Sequence, residues 1–97
     1  MREYELMYII RPNLEPEQQE ALQERVAALI ARDGGEVIGV DVWGRRRLGY
    51  PIDHETEGHY VVLTFKGGEE LIREMDRVLS ISDDFLRFKI LRINHRR

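Results

Sequence analysis

Apolar positions along the chain fall into blocks with two different periods, and the change of period marks the elements. Residues 4–10, YELMYII, set Leu6, Tyr8 and Ile10 against Glu5, Met7 and Ile9 before Arg11-Pro12. A short run of β-formers that is largely apolar on both sides predicts a central strand. From Pro16 the period lengthens: Leu22, Val26 and Ile30 recur every four residues with Leu29 one position off, the stripe of an amphipathic helix. Pro at the first helical position and Glu17 in the first turn suit its start, and Gly34-Gly35 suits its end. Residues 36–50 read as a long strand with bulges expected at Gly39 and Gly44. Pro51 has no N–H for a ladder, which places this strand at a sheet edge. After a polar turn over 53–57, residues 60–65 alternate Val61, Leu63 and Phe65 against Tyr60, Val62 and Thr64. Gly67-Gly68 break the run, and Leu71, Met75, Val78 and Leu79 make the stripe of a second helix. Residues 85–93 form a last strand, with Leu86, Phe88 and Ile90 opposed to Arg87, Lys89 and Leu91.

The order is β-α-β-β-α-β, two split strand–helix–strand units, which predicts an α+β fold: a four-stranded antiparallel sheet with two helices on one face. Right-handed crossovers put the first and third strands in the middle. Residues 1–97 are expected to be one domain with a short basic C-terminal extension. The face without helices should carry Met7, Ile9, Tyr60, Val62 and Leu91, an apolar patch of the kind that marks a binding surface for a partner.

Charge changes this picture in one respect. The formal net charge is −3, too acidic for a protein that coats nucleic acid indiscriminately. Yet Arg45, Arg46 and Arg47 are consecutive, and residues 85–97 hold Arg87, Lys89, Arg92, Arg96 and Arg97 with no acid. With Arg2, these are the expected RNA contacts, because guanidinium forks match phosphate oxygens and keep their charge. Edge protection of the second strand is the plainer reading of the triplet. A flat patch without base-stacking aromatics would position a backbone and not read a sequence. Gly58-His59-Tyr60-Val61 also lacks the alternating aromatics with which an RNA-recognition domain stacks bases, so stacking is not expected.

Other chemistry finds little support. There is no Cys, hence no disulfide and no thiolate metal site. His54 and His59, with Asp53, Glu55 and Glu57, lie in or beside a turn where such residues are ordinary. Ser80 and Ser82 have no nucleophile elbow around them, and Gly67-Gly68 is not followed by Lys-Ser/Thr. No catalysis, cofactor, metal or small-molecule substrate is expected. No apolar run approaches the roughly 20 residues of a membrane span, and the charged MREYEL start is unlike a signal peptide, which leaves the cytoplasm as the expected location.

Several motifs recur in order along nearly the whole chain: Tyr4-Glu5 with Ile9-Ile10 and Pro12; Gly34-Gly35-x-Val37; Trp43-Gly44-x-Arg46-x-Leu48-x-Tyr50-Pro51-Ile52; Gly58-x-Tyr60 with Phe65; and Asp83-x-x-Leu86-Arg87. In these the chain resembles the bacterial ribosomal small-subunit protein six family. Gly49 stands where the family has Ala, the 53–57 turn is more acidic than the lysine-bearing loop usual there, and the acidic tail of some members is missing. The resemblance implies a ferredoxin-like fold and a structural role: pairing with small-subunit protein eighteen and binding the central domain of the small-subunit ribosomal RNA. The rival class is a small-molecule-binding regulatory domain of similar topology, whose ligand pocket would have to form at Gly34-Gly35.

Overall fold

The computed structural model describes residues 1–93, so Arg96 and Arg97 lie outside the described residues. Six elements follow in the expected order: β1 (Arg2–Ile10), α1 (Pro16–Arg32), β2 (Glu36–Ile52), β3 (Glu55–Gly67), α2 (Glu69–Ser80) and β4 (Phe85–Arg92). They build one four-stranded sheet in the order β2-β3-β1-β4. Each neighbouring pair is antiparallel, and the Pro51-bearing strand is at an edge.

The period-2 and period-4 blocks meet where their patterns require. Tyr4, Leu6, Tyr8 and Ile10 of β1, with Val61, Leu63 and Phe65 of β3, pack against Leu22, Val26, Leu29 and Ile30 of α1 and Leu71, Met75 and Leu79 of α2. Each such side chain taken out of water stabilises the fold by about 1.5–3 kcal/mol. Tyr4 stacks on Phe65 at 5.6 Å, and Tyr8 meets Phe85 edge-on at 5.3 Å.

Helix α1 begins with Pro16 in its first turn, and the Gln18 side chain accepts the Glu15 N–H at 2.8 Å. It ends in a Schellman motif. Gly35 N–H reaches Ile30 O at 2.8 Å and Gly34 N–H reaches Ala31 O at 3.1 Å, with Gly34 left-handed at φ 82°. The chain can then turn straight into β2.

The β2–β3 hairpin is longer and tighter than its sequence indicates. Glu55 and Glu57 are strand residues, and only Asp53 and His54 remain in the turn, with φ of 52° and 67°. Two consecutive left-handed residues give the two-residue turn whose twist suits a hairpin. The usual Asn-Gly signal is absent there, which hid the turn. The ladder skips a residue between Val37 and Gly39 and again between Val42 and Gly44, so both expected glycines flank bulges. A third irregularity was not foreseen: residues 48–51 of β2 stand opposite Thr56 alone.

Candidate nucleic-acid and partner interface

Helices cover one side of the sheet, and the strand registers fix what lies on the other. Cross-strand partners share a face. One row across the uncovered face runs Gly39, Thr64, Glu5, Leu91, and the next runs Asp41, Val62, Met7, Lys89. A third runs Gly44, Tyr60, Ile9, Arg87, and Arg46 stands beyond it opposite Gly58. Glu36 and Lys66 begin the face at the other end. The face therefore has an apolar centre, acids Glu36, Asp41 and Glu5 towards one end, and cations towards the hairpin end, with Arg46 on edge strand β2 and Arg87 and Lys89 on the opposite edge strand β4.

All five residues expected to meet a partner fall on this face, but at different depths. Leu91 is 47% exposed and Met7 and Tyr60 are half-buried, whereas Ile9 and Val62 retain only 7% and 9%. Central strands explain Val62, because side chains on both neighbouring strands flank it. Ile9 is covered by the 48–51 bulge. A Cβ added at Gly58 would meet Ile9 Cγ2 and lie 3.7 Å from Leu48 Cδ2, so Leu48, itself 7% exposed, folds over this end of the sheet. The same fold-over carries Tyr50, from one edge strand, to Arg87 on the other.

The arginine triplet divides by alternation. Arg45 Nη2 donates to Pro12 O at 3.0 Å and its Nε faces Glu57 Oε1 at 3.2 Å, so this side chain braces the hairpin. Arg46 and Arg47 make no ion pair among the described residues, and neither do Arg2, Arg87, Lys89 and Arg92, all exposed. Arg2 and Arg92 lie at the opposite end of the sheet from Arg46, beside Glu3 and Lys66, so the structure separates them from the other cations.

The expectation of a patch without aromatics is corrected. Trp43 stacks on Tyr60 at 6.1 Å and an interplanar angle of 11°, and Arg46 Cζ lies 5.5 Å from the indole centroid. Arg87 Cζ lies 5.6 Å from the Tyr50 ring. The missing signal was in plain view, since Trp43 and Tyr50 flank the triplet. The bulge expected at Gly44 lets Trp43 lie on Tyr60, but no spacing rule gives that stack or the fold-over that brings Tyr50 to Arg87.

Arg11 was also overlooked. Its Nε donates to Asp83 O at 2.8 Å, and its Nη atoms pair with Asp53 and Glu55, tying the hairpin tip to the start of β4. Hydrogen bonding to Arg11 holds the Asp53 carboxyl below the usual carboxylate range. Burial pushes the His59 imidazole below its ordinary value, so it is neutral at pH 7. At Gly35 the backbone lies tight against the sheet, where a Cβ would come within 2.6 Å of Lys66 O and 2.8 Å of Leu71, whereas at Gly34 a Cβ would meet nothing within 4 Å. No helix among the described residues is long and apolar enough to cross a membrane.

An α+β module with one packed face and one open, charge-sorted face is built to bind other macromolecules. Residues 3–92 match the family model described as Ribosomal protein S6, and the chain belongs to that family. The small ribosomal subunit protein bS6 of Carboxydothermus hydrogenoformans is 46% identical over 92 residues, covering 95% of this chain and 96% of its own. That of Moorella thermoacetica is 44% identical over 93 residues, covering 96% and 95%. The crystal structure of 30S ribosomal protein S6 from Thermotoga maritima superposes with a TM-score of 0.90 at 31% identity, covering 95% of this chain and 87% of that one. The chain is thus a structural protein of the small ribosomal subunit, where it sits with ribosomal RNA in the cytoplasm, and it is not an enzyme.

Proposed function

We propose that the chain joins two partners on its open side: small-subunit protein eighteen against the apolar centre, and the central domain of the small-subunit ribosomal RNA against the cations of the hairpin end. One observation carries this reading. Exposed Arg46, Arg87 and Lys89, with no ion pair among the described residues, adjoin a sheet face whose apolar residues include the half-exposed Leu91. Phosphates match the first feature and a protein surface the second. With a net charge of −3 the chain has little general pull on RNA, so pairing with a protein that also touches the RNA would convert weak contacts into a stable complex. Arg2 and Arg92, at the far end, would meet a different stretch of RNA or none. The test is a calorimetric titration of this chain with protein eighteen, followed by binding of each alone and of the pair to a central-domain RNA fragment. Pairing without RNA, and RNA binding by the pair much tighter than by this chain alone, is the expected result. Absence of any pairing removes the partner half of the proposal.

A further inference from the structure

The two edges of the sheet differ in what they offer a neighbour. Edge strand β4 carries Arg87, Lys89 and Arg92 and no acid, so two such edges repel each other. Edge strand β2 is unlike it between the two bulges. Val40 and Val42 stand opposite Leu63 and Val61 and so take the helix side of the sheet, yet they are 41% and 52% exposed where Leu63 and Val61 are buried. The helices therefore stop short of β2. Its apolar residues form an open ledge, which Ile38, 49% exposed, continues. Beside the ledge run the N–H and C=O groups of β2 that point away from β3, and no strand among the described residues receives them. Bulges commonly blunt an edge, but here they flank residues 39–42 and leave that stretch regular.

Charge is sorted along the same strand, with Glu36 at one end and Arg45, Arg46 and Arg47 towards the other. Glu36 and Arg46 both lie on the open face and make no ion pair among the described residues. A strand that is acidic at one end, apolar in the middle and basic at the other is complementary to itself when turned end for end. Two-fold symmetry makes that turn. We propose that the free protein dimerises through β2, the sheets of two copies joining edge to edge into one continuous sheet. Centring the pair on Val40 sets Val40 against its own copy, Ile38 against Val42 and Asp41 against Gly39. Centring it on Asp41 would set two carboxylates face to face, which is unfavourable. In the first register Glu36 of each copy reaches the Arg46 end of the other. The dimer thus occupies Arg46, and a copy so paired cannot also hold RNA there. That consequence rests on the RNA reading above; the dimer does not.

Sedimentation equilibrium over a concentration series tests the dimer. A monomer–dimer equilibrium with its midpoint at about 0.1–1 mM is expected for so small a contact. In backbone NMR spectra the amides of residues 38–42 should move with concentration while those of β4 stay fixed. Val40→Lys would set two ammonium groups against each other across the two-fold axis. It should weaken the dimer about tenfold or more, with a dilute thermal melt like the parent's. Glu36→Gln leaves the ledge intact and should weaken it about threefold, since symmetry removes two surface ion pairs at once. A parent that stays monomeric at about 1 mM would overturn the proposal, as would shifts confined to β4 or variants that dimerise as well as the parent. Growth beyond the dimer would also overturn it, because that marks a head-to-tail contact that does not close. Adding a central-domain RNA fragment then separates the two readings. Dissociation of the dimer as RNA binds supports the exclusion. RNA bound to an intact dimer removes the exclusion and leaves the dimer standing, and RNA bound by neither form counts against the RNA reading alone.

Discussion

The core has one chemical flaw, the hydroxyl of Tyr8. It is buried with no hydrogen-bond partner among the described residues, and burial pushes its pKa from 10.0 to about 12. An unsatisfied buried polar group costs about 1–3 kcal/mol, so Tyr8→Phe should stabilise the protein by about 1 kcal/mol in urea melts. The sign of the pH effect follows. Between pH 10 and about 12 the unfolded tyrosine loses its proton while the folded one holds it, so stability falls with rising pH. That alkaline loss should shrink in the Phe variant. Among the exposed residues, alternation puts Arg46 on the face opposite Arg45 and Arg47, and Arg45 alone of the three is engaged with Glu57 and Pro12 among the described residues. Replacing Arg46 and Arg47 with Ala should lower the slope of log affinity for RNA against log salt by about one per lost phosphate contact. Filter binding across a salt series measures it, and an unchanged slope would return both residues to edge protection. The sequence shows these cations but says nothing of their partners, since Pro12 and Glu57 reach Arg45 only through the folded hairpin.

At the scale of elements, the stretches with a clear period were legible from the sequence alone. Leu22, Val26 and Ile30 marked α1, and Gly34-Gly35 gave its end. The hairpin was the exception. Residues 53–57 are polar and read as a loop, yet Glu55 and Glu57 pair in the ladder because β2 and β3 project past the end of β1 and can be polar on both faces there. Only Asp53 and His54 turn, and a non-glycine residue at φ 67° is strained. His54→Gly should therefore stabilise the protein by about 1 kcal/mol, read from urea melts. No change would mean that the His54 side chain makes contacts offsetting that strain. Arg11 constrains the same tip from outside. Asp53 is held below its ordinary carboxylate value by Arg11, so the pair's contribution is present above the unfolded value of 3.8 and is lost as pH falls through the lower folded one. Asp53 is largely exposed and Arg11 partly so, and salt should weaken the effect.

Across the whole molecule, the sheet sorts charge that looks scattered in the sequence. Glu5 and Asp41 come towards one end of the open face, and Arg46, Arg87 and Lys89 towards the other on its two edge strands, with apolar residues between them. Alternation showed which side each residue would take but not how deeply it would sit, and depth decides which substitutions can test the partner surface. Val62 is only 9% exposed, with Asp41 directly opposite it on β2 and Met7 on β1. Val62→Asp would place a second carboxylate beside Asp41 in a nearly dry position, so the melting temperature should fall along with any pairing. Leu91 is the cleaner probe: it lies on edge strand β4 and is 47% exposed, so the fold does not depend on it. Asp would be a poor replacement even there, because Glu5 stands opposite. Leu91→Gln keeps the size and removes the apolar surface. Its melt should stay within about 0.5 kcal/mol of the parent, as for most surface changes. Pairing with protein eighteen should weaken about tenfold, the loss of about 1.4 kcal/mol of apolar burial at the interface. A calorimetric titration beside a thermal melt measures both. Should Leu91→Gln pair as well as the parent while Val62→Asp unfolds, the sheet face is not the contact, and the partner must be sought along the exposed β2 edge at Ile38, Val40 and Val42.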